Sequence, residues 1–221
     1  MGAMTRSKEP APGDGRVTAG YAAFNSAIGC CGIAWGPRGI TGVHLPEPSE
    51  QATRAQLAES YPEAAEAAPP ASIRRAIDRI RAVLEGSSRD DLGDLTLDMS
   101  GLSDFLQRAY AAARTIAPGD TMTYGQLADR IGNPGLARAI GRAMGANPFP
   151  IVVPCHRVLG ADGTIGGFSA PGGAVTKRRM LLAEGVAERD GPALFDADQL
   201  YQSPAAEPTE ADREASRPSG R

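Results

Sequence analysis

Cys155 and His156 stand side by side in the run Pro154-Cys155-His156-Arg157-Val158. A thiol attacks carbon as its thiolate, so a reacting cysteine needs a group that takes its proton. Imidazole is the usual choice, and the chain has only 2 histidines, His44 and His156. In an extended strand adjacent side chains face opposite ways, so a Cys155–His156 partnership requires a turn or a bridging water. Pro154 favours a turn. A third group usually orients such a histidine. The acids near in sequence are Asp162 and Glu184. The same residues also describe a buried cysteine ending the apolar run Ile151-Val152-Val153, with His156 a hydrogen-bonded neighbour. Composition and spacing leave both readings open.

Metal chemistry fits poorly. The 3 cysteines are Cys30, Cys31 and Cys155, with no Cys-x-x-Cys spacing. An odd count with two adjacent members is also a poor disulfide framework. The expectation is no metal and no cofactor, with Cys30 and Cys31 in a strand, one inward and one outward.

The net charge of −3 does not suggest a nucleic-acid partner, but the average hides a split. Residues 101–185 carry 9 Lys/Arg against 5 Asp/Glu, whereas residues 1–100 carry 10 against 13 and residues 186–221 carry 4 against 8. Phosphate contacts, if any, belong to the middle segment; scatter on a solvated surface gives the same counts. No apolar run approaches the roughly 18 residues of a bilayer span. Met1–Gly15 lacks the apolar core of a signal peptide. A soluble, cytoplasmic monomer away from membranes is expected.

The elements that must position Cys155 read as follows. Residues 1–17 are a disordered tail. Gly20 to His44 gives two or three strands joined by turns at Gly29 and Pro37-Arg38-Gly39. Residues 49–61 are helical, 62–70 are a linker, and Ser72 caps a helix with Ile73, Ala76, Ile77, Ile80, Val83 and Leu84 on one face, ended by Gly86. Leu95–Met99 alternates like a last strand. Residues 18–99 thus form an α/β domain, and residues 100–186 a mainly helical one.

Ser103 caps a helix over 103–117, and Thr123 with Gln126 has the form of a capping box. Asn133-Pro134 starts a further helix to about Gly145, which makes a helix-turn-helix candidate. Its small residues, Gly135, Ala137, Ala139, Gly141, Ala143 and Gly145, serve either close packing in the core or entry into a narrow groove with Arg138 reaching between. A hairpin is expected at Asp162-Gly163 and a flexible loop at 166–173. Residues 175–183 read as a last helix, with Lys177, Arg178 and Arg179 polar and Met180, Leu181 and Leu182 inward. Residues 187–221 are a second disordered tail.

The blocks Thr-Tyr-Gly-Gln-Leu-Ala at 123–128, Ala-Arg-Ala-Ile-Gly at 137–141, Ala-Asn-Pro at 146–148, Ile-Val-Val-Pro-Cys-His-Arg-Val at 151–158 and Leu-Leu-Ala-Glu-Gly at 181–185 occur in one order. Together they resemble the O6-alkylguanine-DNA alkyltransferases. The resemblance is strong over about 60 residues and weaker over 18–100. It implies an N-terminal α/β domain with a ribonuclease-H-like antiparallel sheet, and a C-terminal helical domain carrying the helix-turn-helix. It also implies repair of alkylated duplex DNA, bound from the minor groove. The alkyl group of O6-alkylguanine, and of O4-alkylthymine, passes irreversibly to Cys155.

In that reading His156 acts as base through a water, Glu184 holds His156, Asn147 braces the turn, and Tyr124 assists proton transfer to the departing guanine. Ser169, Phe168, Val158 and Met144 line the substrate. Arg138 fills the gap left by the flipped base, with Thr123, Gln126, Ala137, Ala139 and Gly141 on the DNA side. Phe168 replaces the family's common tyrosine, about two residues are added near 170–173, and Tyr110 stands near the family's usual tryptophan. The alternative is a non-catalytic alkyltransferase-like lesion binder, whose relatives replace the acceptor cysteine present here. A thiol hydrolase using Cys155 and His156 would need multiple turnovers.

Overall fold

The computed structural model describes residues 18–165 and 172–186. The first strands, β1 (Gly20–Ser26), β2 (Gly29–Gly36) and β3 (Gly39–His44), form an antiparallel meander. Alternation gives it two apolar faces. Ala22, Phe24, Cys31, Ile33 and Val43 enter the main core, while Tyr21 and Ala34 meet Leu57 on the other side. Cys31 is buried and Cys30 half-exposed, as alternation requires. Leu57 belongs to α1 (Glu50–Ser60), capped where Ser49 Oγ accepts from the Ala52 N–H at 3.1 Å. A Cβ at Gly32 would lie 2.7 Å from the Leu57 side chain, so glycine lets α1 lie against the sheet.

α2 (Ala71–Leu84) buries the expected stripe of Ile73, Ala76, Ile77, Ile80, Val83 and Leu84. Its cap is Pro70, with no side-chain bond, so Ser72 lies inside the first turn. The 62–70 stretch is more than a linker. β4 (Ala65–Glu66) pairs parallel with β1, which makes the order β3-β2-β1-β4 and the sheet mixed, not antiparallel throughout. Ala and Glu have weak strand propensity, so this pairing comes from the open edge of β1. Leu95–Met99 forms no strand; Leu97 alone bridges, in parallel, to Ile40. Asp98 is instead tied to Ser100, whose Oγ donates to its Oδ1 at 2.5 Å, and to Arg38.

The second half is mainly helical. α3 (Asp104–Ala113) is capped by Ser103 and stops short of the expected 117. β5 (Met122–Thr123) leads into α4 (Tyr124–Arg130), whose capping box is complete. Gly132, at φ 87°, turns the chain. A 3-10 turn at Pro134–Leu136 then enters α5 (Ala137–Gly145). β6 (Val158–Leu159) pairs parallel with β5, so it is no hairpin arm; Asp162-Gly163 lies in a tight turn closed by Gly160 N–H to Thr164 O at 2.9 Å. α6 (Gly173–Ala183) completes the fold. One apolar core joins Ile33 and Ile80 to Tyr110, Ile140, Phe149, Val152 and Met180. Among the described residues no helix is long and apolar enough to cross a membrane, and no group of His, Cys, Asp or Glu could hold a metal ion.

Candidate active site

Residues 147–157 fold as successive turns, because Pro148, Pro150 and Pro154 cannot donate to a strand ladder. Asn147 Oδ1 accepts from the Phe149 N–H at 2.9 Å, and its Nδ2 donates to Val153 O at 2.9 Å. The Val153 N–H reaches Phe149 O at 2.8 Å. Ile151 sits at φ 76°, a region β-branched residues avoid, so these bonds hold the turn against local preference. Pro154, at φ −79° and ψ 64°, is the centre of an inverse γ-turn closed by Cys155 N–H to Val153 O at 2.8 Å. Cys155–Arg157 is then one 3-10 turn. The strand geometry that would separate Cys155 from His156 is absent.

Cys155 is 4% exposed and His156 fully buried. Of the two candidate acids, Glu184 is the partner, with Oε1 2.8 Å from His156 Nε2. Asp162 is exposed and accepts from Thr164. Arg157 Nε donates to Glu184 Oε2 at 2.9 Å, its Nη2 to Oε1 at 2.7 Å, and its Nη1 to Ile116 O at 2.5 Å. Burial opposes the charge on Glu184, but hydrogen bonds from His156 and Arg157 outweigh it and hold the carboxyl at about 2. An ionised carboxylate only accepts, so His156 Nε2 carries the hydrogen and Nδ1 keeps the lone pair. That Nδ1 is buried with no hydrogen-bond partner among the described residues. Burial pushes the imidazole pKa down against the pull of Glu184, which keeps the ring neutral at pH 7.

Burial also pushes the Cys155 thiol up, while the Asn147 side chain, the Lys177 charge and backbone N–H groups pull it down. Lys177 corrects an expectation. It faces inward, 1% exposed, with Nζ donating to Val158 O at 2.6 Å and lying 6.0 Å from the Tyr124 ring centroid. Burial lowers its pKa to about 8. Leu182, expected inward, is 40% exposed. The buried stripe of α6 and its cap is Lys177, Met180, Leu181 and Glu184, at i, i+3, i+4 and i+7. Extending the Met180-Leu181 stripe one turn each way was the sequence signal for Lys177. Arg157 was also missed as a site residue, although it lies within the motif.

Tyr124 opens α4, half-buried, its phenol pKa raised by burial and then by Cys155. Met144 and Val158 are buried, at 5% and 0%. Thr123 and Gln126 are engaged as caps, with Thr123 N–H to Gln126 Oε1 at 2.7 Å and Gln126 N–H to Thr123 Oγ1 at 3.1 Å. On α5, Arg138 is exposed, and Ala137 and Ala139 are half-buried. A Cβ at Gly141 would meet nothing within 4 Å, so core packing does not require glycine there. Tyr110 is buried and donates to Ala143 O at 3.1 Å. Phe168 and Ser169 lie outside the described residues.

A strand layer followed by a helical part that buries this thiol matches one class of protein. The family model for "6-O-methylguanine DNA methyltransferase, DNA binding domain" matches residues 104–186. The methylated-DNA–protein-cysteine methyltransferase of Mycobacterium tuberculosis H37Rv is 44% identical over 113 residues, which span 51% of this chain and 65% of that relative. Its namesake from Mycolicibacterium paratuberculosis is 35% identical over 179 residues, covering 80% of this chain and 98% of the relative. The crystal structure of Mycobacterium tuberculosis OGT in complex with DNA superposes with a TM-score of 0.63 at 35% identity, over 76% of this chain and 95% of that one. The chain belongs to the methylated-DNA–protein-cysteine methyltransferase family.

Proposed function

We propose that this protein repairs duplex DNA by moving the alkyl group of O6-alkylguanine, and of O4-alkylthymine, onto Sγ of Cys155. The observation that carries the reading is the tautomer fixed by Glu184: it leaves His156 Nδ1 as a buried, neutral proton acceptor one residue from the thiol. A water relays the thiol proton to Nδ1. The thiolate attacks the alkyl carbon, a C–S bond forms, and the C–O6 bond breaks with its electron pair left on the base. Tyr124 supplies a proton to the departing base, which removes the charge an unassisted leaving oxygen would carry. That leaves Tyr124 as its phenolate, and His156 passes the thiol proton to it through solvent, which restores both side chains. The thioether has no route back to thiol, so each molecule acts once.

The two short helices across Gly132 support reading α4 and α5 as a helix-turn-helix, with α5 against the minor groove. The open space around Gly141 and the exposure of Arg138 support that approach, Arg138 filling the stack behind the flipped base. Three antiparallel strands with a fourth parallel to the first support a ribonuclease-H-like N-terminal domain over 18–99, with the DNA-binding domain at 100–186.

Duplex DNA carrying radiolabelled O6-methylguanine, in large excess, tests this. Label on the protein is expected to plateau at one methyl per chain, with none on Cys155→Ala. Continued methyl release past one equivalent contradicts it.

A further inference from the structure

β3 is an edge strand, so one side of its backbone needs partners outside the sheet. At its start Ile40 uses residues 96–98: Ile40 N–H donates to Thr96 O at 2.9 Å, and Asp98 N–H to Ile40 O at 2.8 Å. In a regular strand the next outward donor would be two residues on, at Gly42. The β2–β3 register slips by one between Ala34 and Trp35, where Ile40 pairs with Trp35 and Gly42 with Ala34, with Thr41 the inserted residue of the bulge. Such a bulge flips which residues face outward. The outward donor becomes Val43, whose N–H reaches Pro148 O at 2.9 Å.

That carbonyl belongs to the same planar peptide unit as the Phe149 N–H. The unit is therefore gripped at both ends, by Val43 on its oxygen and by Asn147 Oδ1 on its N–H. The other end of the Asn147 amide holds Val153 O, two residues from Cys155. We propose that the bulged β3 edge is a positioning element of the transfer site: the Val43 N–H fixes the peptide plane that sets the Asn147 amide, and through it the Cys155 turn. The inference rests on the alkyl-transfer reading for its biological meaning, but its geometry concerns the thiol alone.

Replacing Val43 by its α-hydroxy acid, introduced by nonsense suppression, deletes the donor and keeps the side chain. At saturating DNA the transfer rate is expected to fall about fivefold to tenfold, the scale of one hydrogen bond, with DNA affinity held within about twofold. The pH midpoint for iodoacetamide attack on Cys155 is expected to move up. Val43→Ala keeps the N–H and loses core packing, so it is expected to melt lower yet match the wild-type pH midpoint. An ester protein that matches wild type, or a Val43→Ala protein with the same midpoint shift, overturns the proposal. A second measurement needs no ester. In Asn147→Ala the Val43 amide is expected to exchange hydrogen about tenfold faster, with the Ile40 amide unchanged; equal exchange at Val43 overturns it. Wild-type protein that takes no methyl from DNA sinks the repair reading alone, because the iodoacetamide and exchange results still decide the positioning.

Discussion

Arg157 grips Glu184 with two parallel hydrogen bonds, Nε to Oε2 at 2.9 Å and Nη2 to Oε1 at 2.7 Å, where each side chain is 2% exposed. A bidentate pair fixes the carboxylate plane, and with it the direction of the bond to His156. The His156 tautomer thus rests on an arginine whose hydrogen bonds go to Glu184 and to Ile116 O.

Acid stability follows from this pair. The Glu184 carboxyl sits at about 2 in the fold against its ordinary 4.5, so its contribution is fully present above pH 4.5 and is lost as pH falls towards 2. Glu184→Gln leaves Arg157 buried without its counter-charge, a cost of roughly 3–5 kcal/mol. Urea melts between pH 2 and 7 are expected to show a lower, flatter profile for the variant. Equal pH slopes in both proteins contradict the pair's role.

Lys177 gives a dependence of the same sign in a higher pH window. Its ammonium releases its proton at about 8 in the fold and at its ordinary 10.5 when unfolded. Between those values the unfolded chain binds more protons, so stability rises with pH across that window. Lys177→Met is expected to lack that rise. It also removes the positive charge that favours the Cys155 thiolate, so transfer is expected to slow by about tenfold or more. A variant with wild-type transfer rates at pH 7 would show that the charge is idle.

Gly141 separates DNA approach from folding. A Cβ there meets nothing within 4 Å, and replacing helical glycine by alanine stabilises by roughly 0.5–1 kcal/mol. Gly141→Ala and Gly141→Leu are expected to melt no lower than wild type. Gly141→Leu is expected to bind duplex DNA at least about tenfold more weakly, while still reacting with free O6-benzylguanine, which needs no groove. Undiminished DNA binding by the leucine variant would place the groove contact elsewhere.

The residue order exposed the Cys155 motif, the α2 stripe and the capping box of Thr123 and Gln126, because each depends on local spacing. Other features depended on partners distant in sequence. β4 forms because β1 offers an open edge to Ala65 and Glu66. Lys177 looked like surface because lysine usually is; its inward place depends on the Val158 carbonyl 19 residues away. Local spacing left both Glu184 and Asp162 open, because no periodicity encodes the return of α6 to the Cys155 turn; the resemblance in the Leu-Leu-Ala-Glu-Gly block pointed to Glu184. The two readings of the small residues in α5 separate at Gly141 only when the space around it is visible.

Peptide mapping by mass spectrometry after one turnover on O6-methylguanine duplex DNA tests the central claim most directly. The account predicts a single added methylene on the peptide containing Cys155, with Cys30 and Cys31 unmodified and the DNA base restored to guanine. A methyl group found on another residue, or released to solvent with Cys155 unchanged, would contradict it.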